Sequence, residues 1–129
     1  MRLYIAEKKE TAMSISVALG GPSVPDGICF DLGDEQVVWL SGHLLRLRKP
    51  EEHNEAYQQW SLDYLPMDWP ISYIPQDNHR EHLADIIALA RSADELVNAG
   101  EPDPEGQRLV DEVIEYAGLD KPVMRILIN

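Results

Sequence analysis

The chain contains short apolar runs that a two-state choice between helix and surface loop cannot place. Leu3-Tyr4-Ile5 is apolar on both faces and only a few residues long, Glu95-Leu96-Val97 is as short, and the closing stretch 122–128 carries Val123, Met124, Ile126, Leu127 and Ile128. Runs like these read as strands buried on both faces, and such strands need helices packed above and below them. The helices are present in the pattern. Residues 11–19 space Ala12, Ile15, Ser16 and Leu19 for one helical face, residues 80–90 do so with Leu83, Ile86, Ile87 and Ala90, and residues 107–117 with Leu109, Val110, Val113, Ile114 and Ala117. Gly20-Gly21-Pro22 ends the first and Gly118 the third, and Asn78 is the expected N-cap of the second. Residues 28–32 and 36–40 add two strands around a Gly33-Asp34 turn. This alternation predicts an α/β domain with a largely parallel sheet flanked by helices. A length of 129 residues suggests a single domain over 1–129.

Functional sites in parallel sheets lie at the carboxyl ends of the strands. Two segments with chemical character sit there. Glu7-Lys8 closes the first strand, and Ala99-Gly100-Glu101-Pro102-Asp103-Pro104-Glu105-Gly106-Gln107 joins the strand at 95–97 to the third helix. In an extended chain Glu101, Asp103 and Glu105 point the same way, roughly 6–7 Å apart. Three such charges repel one another unless water, a cation or a basic partner intervenes. Mg²⁺ suits them, because it takes oxygen ligands and keeps several waters. Two other readings stay open at this level. Glu101, Asp103, Glu105, Gly106 and Glu112 also fall at positions 1, 3, 5, 6 and 12 of a calcium-binding loop, although helical periodicity beginning near Gln107 argues against it. The stretch also reads as an acidic turn capping a helix. A metal-held phosphate next to Lys8, with Glu7 to give or take a proton, is chemistry suited to a phosphodiester.

Charge opposes a free-standing nucleic-acid binder. Eleven Lys and Arg against 23 Asp and Glu give a net charge of −12, so the chain alone is repelled by DNA at low salt. Contact with nucleic acid then needs a cation or basic surface from elsewhere. The one concentration of positive charge is Arg46, Arg48 and Lys49. The single cysteine, Cys29, allows no internal disulfide and fits a reducing, cytoplasmic setting. No apolar run approaches the length of a membrane span.

Residues 50–78 are expected to be irregular. Pro50, Pro66, Pro70 and Pro75 punctuate the segment and Tyr57, Trp60, Tyr64, Trp69 and Tyr73 anchor it, the pattern of a packed excursion rather than a linker. Trp60 and Trp69 are candidates for stacking on bases, with packing of the excursion the competing reading. Trp39 and Cys29 read as core residues. His79 and His82 lie one helical turn apart, but no further ligand completes a zinc site.

Several of these pieces together resemble a known family. Arg2-Leu3-Tyr4-Ile5-Ala6-Glu7-Lys8, Gly42-His43-Leu44-Leu45, Trp60-Ser61-Leu62-Asp63-Tyr64-Leu65-Pro66 and the acidic stretch, continuing through Leu109-Val110-Asp111-Glu112-Val113, resemble in order the N-terminal Toprim domain of bacterial type IA DNA topoisomerases, topoisomerase III above all. The resemblance implies a Rossmann-like Toprim fold and a parent enzyme that transiently cleaves single-stranded DNA through a phosphotyrosine and passes a strand through the gap. It implies Mg²⁺, with Mn²⁺ as the alternative ion, on Glu101, Asp103 and Glu105. It implies proton transfer by Glu7 and contact of Lys8 with the scissile phosphate. His43 falls near the family's DNA path, with a structural loop histidine as the equal alternative, and Arg46 and Arg48 join it as candidate DNA contacts. The nucleophilic tyrosine belongs to a domain beyond residue 129, so an N-terminal fragment completed by further topoisomerase domains in cis is expected.

The departures from the family pattern cluster at the site. Glu101 stands where the family has Asp, and its extra methylene moves the ligand by about 1.5 Å. Pro104 stands where Arg is usual, and Lys9-Glu10 replace Pro-Ser. A Toprim-fold module for binding or assembly without catalysis, and a Toprim nuclease or primase-like protein, are the alternatives these departures leave open.

Overall fold

The computed structural model describes residues 1–59, 61–66 and 69–128. In chain order it runs β1 (Arg2–Ala6), α1 (Lys9–Ala18), β2 (Cys29–Asp31), β3 (Glu35–Trp39), β4 (Leu45–Leu47), α2 (Pro50–His53), β5 (Tyr73–Pro75), α3 (Arg80–Ser92), β6 (Glu95–Ala99), α4 (Pro104–Tyr116) and β7 (Val123–Arg125). Five strands form one sheet in the order β2-β3-β1-β6-β7. The pairs β1–β3, β1–β6 and β6–β7 are parallel, and only the β2–β3 hairpin is antiparallel. This is the expected α/β architecture.

Alternation along β1 builds two cores. Leu3 and Ile5 face α3 and α4, where they join Val38, Leu83, Ile86, Leu96 and Val110. Tyr4 and Ala6 face α1, with Ala12, Ile15, Phe30, Val37 and Val97. The register sets Tyr4 between Val37 and Val97, and Ala6 between Trp39 and Ala99. Burial on both faces is why the run carries no polar residue on either side.

Several boundaries differ from the sequence reading, each for a physical reason. Helix α1 begins at Lys9 rather than residue 11, because its first turn is exposed and leaves no apolar signal. Helix α4 begins at Pro104 rather than 107. Asp103 caps it by accepting from the Gly106 N–H at 2.7 Å, and Pro104 at the first helical position lacks only a donor that would be orphaned there anyway. His79, not Asn78, precedes α3, because residues Asp77–His79 already form a 3₁₀ turn running into it. The C-terminal run is not a buried strand. Only Val123–Arg125 pair, at the sheet edge, with Val123 44% and Met124 41% exposed. On this outermost strand Val123 and Met124 stay exposed, while Ile126 and Ile128 beyond it pack partly against the core that α1 covers.

The excursion, expected to be irregular but packed, also carries short regular elements. Strands β4 and β5 pair antiparallel, Leu45 opposite Pro75, and close its base as a two-stranded ribbon. Three-residue strands, one ending in proline, carry too little alternation to be read from sequence. Within the loop Tyr57 and Tyr64 meet edge-on at 5.4 Å, and the Trp69 indole N–H donates to Arg48 O at 2.7 Å. Aromatic anchoring is therefore found for Tyr57 and Tyr64, while Trp69, 41% exposed, is tied to the chain through its indole N–H; Trp60 lies outside the described residues. Among the described residues no helix is long and apolar enough to cross a membrane.

The two-core arrangement makes the centre and the edge of the sheet unequal. Ile5→Ala should cost about 2–5 kcal/mol in a urea-unfolding measurement, whereas Val123→Ala should stay within about 0.5 kcal/mol of the parent.

Candidate metal and phosphate site

The segments that carry Glu7, Lys8 and the acidic loop leave the sheet from one rim, at the carboxyl ends of the parallel strands. Ala6 lies between Trp39 and Ala99, so the chain leaves β3, β1 and β6 along one edge. Beyond β1 come Glu7 and Lys8, and beyond β6 the acidic loop. The segment after β3 is tied to the same edge: Leu40 N–H donates to Ala6 O at 3.0 Å and Ser41 N–H to Glu7 O at 2.9 Å. It carries His43 across to α4, where the imidazole Nε2 lies 3.3 Å from Glu105 Oε1. Among the described residues the side chains of Glu7 and Lys8 have no hydrogen-bond or ion-pair partner. Glu7 is half-buried and Lys8 exposed.

The acidic loop is built to a tight specification. A Cβ on Gly100 would stand 2.1 Å from Gly106 O, and one on Gly106 would stand 2.5 Å from Glu101 O. Only glycines let the loop fold back onto the start of α4. Asn98, 2% exposed inside an otherwise apolar strand, is fully engaged. Its amide donates to Gln107 O at 3.0 Å and Asp111 Oδ1 at 2.9 Å, and its Oδ1 accepts from Gly100 N–H at 3.0 Å. From β7, the Arg125 guanidinium donates to Gly100 O at 2.7 Å, Glu101 O at 2.7 Å, Asn98 O at 3.1 Å and Ile126 O at 2.8 Å. Sequence reasoning missed Asn98 and Arg125. The available signals were a lone amide inside an apolar strand and a lone cation inside an apolar run.

The three carboxylates do not share one space as the extended alternation predicted. Because α4 starts at Pro104, Glu105 belongs to its first turn. Each carboxylate has a different partner: Glu101 Oε1 accepts from Thr11 Oγ1 at 3.3 Å, Asp103 Oδ1 caps α4, and Glu105 Oε1 meets His43. Among the described residues no three acidic, histidine or cysteine side chains are grouped to hold an ion. The donor chemistry still suits a hard cation. All three groups are carboxylates at one loop, and the second oxygen of each is without a partner among the described residues. The helix-capping reading is thus realised by Asp103. The calcium-loop reading is overturned, since residues 104–116 are helical and Glu112 is buried on α4, paired with Arg108 at 3.0 Å. A groove of about 540 Å³ opens on the other side of the loop, between α4 and β7, and meets the rim at Asp103.

The remaining candidates separate by their partners. Arg46 grips Glu52 with two bonds, at 2.9 and 2.7 Å, so its charge is neutralised within the chain. That pairing, together with the Lys49 N–H, holds the Glu52 carboxyl well below its ordinary value, at about 2. Arg48 has no ion-pair partner among the described residues. His82 is committed to Trp39 O at 2.8 Å, and His79 stands at the head of α3 with no cluster around it, so no zinc pair forms. Burial, followed by Asp31 and Asp26, pushes the Cys29 thiol up and leaves it inert at neutral pH.

Two measurements test this local architecture. Gly106→Ala should destabilise the chain by about 1–3 kcal/mol in chemical unfolding, because the contacted atoms are backbone and cannot swing away. In an NMR acid titration Glu52 should titrate near 2. Arg46→Ala should move it up toward the carboxylate range. The stabilisation from this pair is complete above the unfolded-state carboxylate value and is lost as the pH falls through the folded one.

Comparison with known proteins gives this geometry its family. A Toprim domain profile matches residues 2–129. DNA topoisomerase 3 of Haemophilus influenzae is 40% identical over 138 residues, spanning 100% of this chain and 21% of that protein. DNA topoisomerase 3 of Pasteurella multocida is 41% identical over 123 residues, 92% of this chain and 19% of that protein. DNA topoisomerase 1 of Bacillus anthracis is 36% identical over 92 residues, 70% of this chain and 11% of that protein. The chain therefore spans about a fifth of the length of its topoisomerase 3 relatives, and with a matching profile over almost every residue it belongs to the Toprim domain family.

Proposed function

We propose that residues 1–129 form the cation-binding Toprim part of a type IA DNA topoisomerase acting on single-stranded DNA in the cytoplasm, with the other topoisomerase domains in cis. The observation that carries this reading is the parallel β1–β6 register, which sets Glu7-Lys8 beside the loop of Glu101, Asp103 and Glu105. The topoisomerase names of the relatives support it.

In this reading Asp103 and Glu105 hold Mg²⁺, or Mn²⁺, through their unpartnered oxygens, with Glu101 as the weaker third ligand. The bound ion supplies charge stabilisation at a phosphate oxygen. Lys8, exposed and without an ion-pair partner among the described residues, contacts the scissile phosphodiester as a point charge. Glu7 moves the proton: it gives one to the oxygen that leaves phosphorus when the strand is cut, and takes it back on rejoining. The attacking hydroxyl comes from outside this chain, and so does the basic surface that a net charge of −12 requires. Arg48 and His43 are the DNA contacts on this side. Arg46 contributes less, because Glu52 already neutralises it.

A second reading, a Toprim module without catalysis, is favoured by one observation: the three carboxylates face Thr11, the α4 amide and His43 rather than each other. Calorimetric titration with Mg²⁺ and with Mn²⁺ separates the two. Asp103→Ala and Glu105→Ala should each weaken binding about tenfold or more, and Glu101→Ala should weaken it less. Equal effects of all three would remove the ranking of ligands, and no binding of either ion would favour the module. Metal-dependent release of cut single strands by the chain alone would instead indicate a nuclease.

A further inference from the structure

The rim has a second side that the metal reading does not use. Strand β1 lies between β6, which delivers the carboxylates, and β3, which ends in Trp39 directly opposite Ala6. On the β3 side the Lys9 ammonium sits 5.6 Å from the centre of the half-buried Trp39 ring. The His82 ring lies 6.5 Å from the same indole, and its Nε2 is fixed on Trp39 O at 2.8 Å. Phe30 backs the indole at 5.6 Å.

Charge makes this cluster unusual. The chain has 23 acidic residues against 11 basic ones, yet among the described residues neither Lys8 nor Lys9 forms an ion pair with any of them. Lys9 is exposed, and its flexible stem lets it swing off the ring. Two adjacent unpaired ammonium groups beside an aromatic pair are the ingredients of a site for a phosphate followed by a flat, unpaired base. Neighbouring strands are about 4.8 Å apart, so a phosphate at Lys8 has its adjacent nucleotide within reach of Trp39.

We infer that Lys9, Trp39 and His82 form a nucleotide subsite for single-stranded DNA on the β3 side of the rim, Lys9 meeting the phosphate next to the one at Lys8 and Trp39 stacking on the attached base. The inference rests on the proposal that a phosphodiester strand crosses this rim. It adds a direction: the strand runs from the carboxylate side toward β3, with the ion at one end and the aromatic platform at the other.

The experiment uses the chain carrying Trp60→Phe and Trp69→Phe, which leaves Trp39 as the one tryptophan of three. It is titrated with a fluorescein-labelled oligothymidylate in the presence of Mg²⁺ at about 50 mM salt, up to about 0.1 mM oligonucleotide, the weak end of non-specific affinity. Anisotropy of the label reports binding, and unlabelled oligonucleotide in a parallel titration reports Trp39 emission. The expected result is quenching of Trp39 that saturates together with the anisotropy. An abasic strand should bind without quenching, and Lys9→Ala should reduce the slope of log K against log salt by about 0.7. Binding that leaves Trp39 emission unchanged, or a salt slope indifferent to Lys9→Ala, overturns the subsite while leaving the rim reading intact. Absence of any anisotropy change overturns the subsite, and the rim reading falls with it only if calorimetry also shows no Mg²⁺ binding.

Discussion

Strand β1 has a parallel neighbour on each side, and everything at the rim depends on that pairing. Parallel strands finish at the same edge, so one register brings together three segments remote in sequence: the Glu7-Lys8 turn, the segment that ends in His43, and the acidic loop. The pairing is strong where it has to be. Leu3, Ile5 and Ala6 are fully buried, and a slip by one residue would exchange the Leu3–Ile5 face for the Tyr4–Ala6 face and mismatch both cores.

The loop that leaves β6 is held by means other than hydrophobic burial. Gly100 and Gly106 permit a backbone approach that any side chain would block. Asn98 satisfies its buried amide at the end of β6, and the two terminal guanidinium nitrogens of Arg125 donate to the main-chain carbonyls of Asn98, Gly100 and Glu101. None of these groups is itself a proposed metal ligand. They fix the backbone from which the three carboxylates project, Asp103 and Glu105 exposed and Glu101 half-buried, each with a second oxygen free of partners among the described residues. Rigid backbone and adaptable side chains suit the proposed binding of a cation beside a charged strand.

The rim is also electrically lopsided. Carboxylates lie toward β6, while the Lys9 ammonium and the Trp39 indole lie toward β3. A strongly acidic domain can present a phosphate-compatible edge only if such cations are kept out of internal ion pairs, and among the described residues Lys8 and Lys9 have none. Arg46 shows the opposite outcome. Its tight pairing with Glu52 makes it a brace for the excursion rather than a surface cation.

By itself the sequence determined the class of fold, the central strands, the three long helices and the identity of the acidic loop, because each leaves a local mark. Apolar runs buried on both faces, helical spacing of Leu and Ile, and glycines at a carboxylate-rich turn are all written within a few neighbouring residues. It overreached where locality ends. The last apolar run promised a buried strand, but it supplies the outermost strand of the sheet, where Val123 and Met124 stay exposed and only Ile126 and Ile128 pack partly on the core. The alternation at Glu101, Asp103 and Glu105 promised a convergent triad, but a proline-initiated helix turned Glu105 away. Only the tertiary structure decided where each carboxylate points, since the partners come from Thr11, 90 residues from Glu101, and His43, 62 residues from Glu105. Periodicity records how much of a residue is buried; a hydrogen bond between remote side chains leaves no period to read.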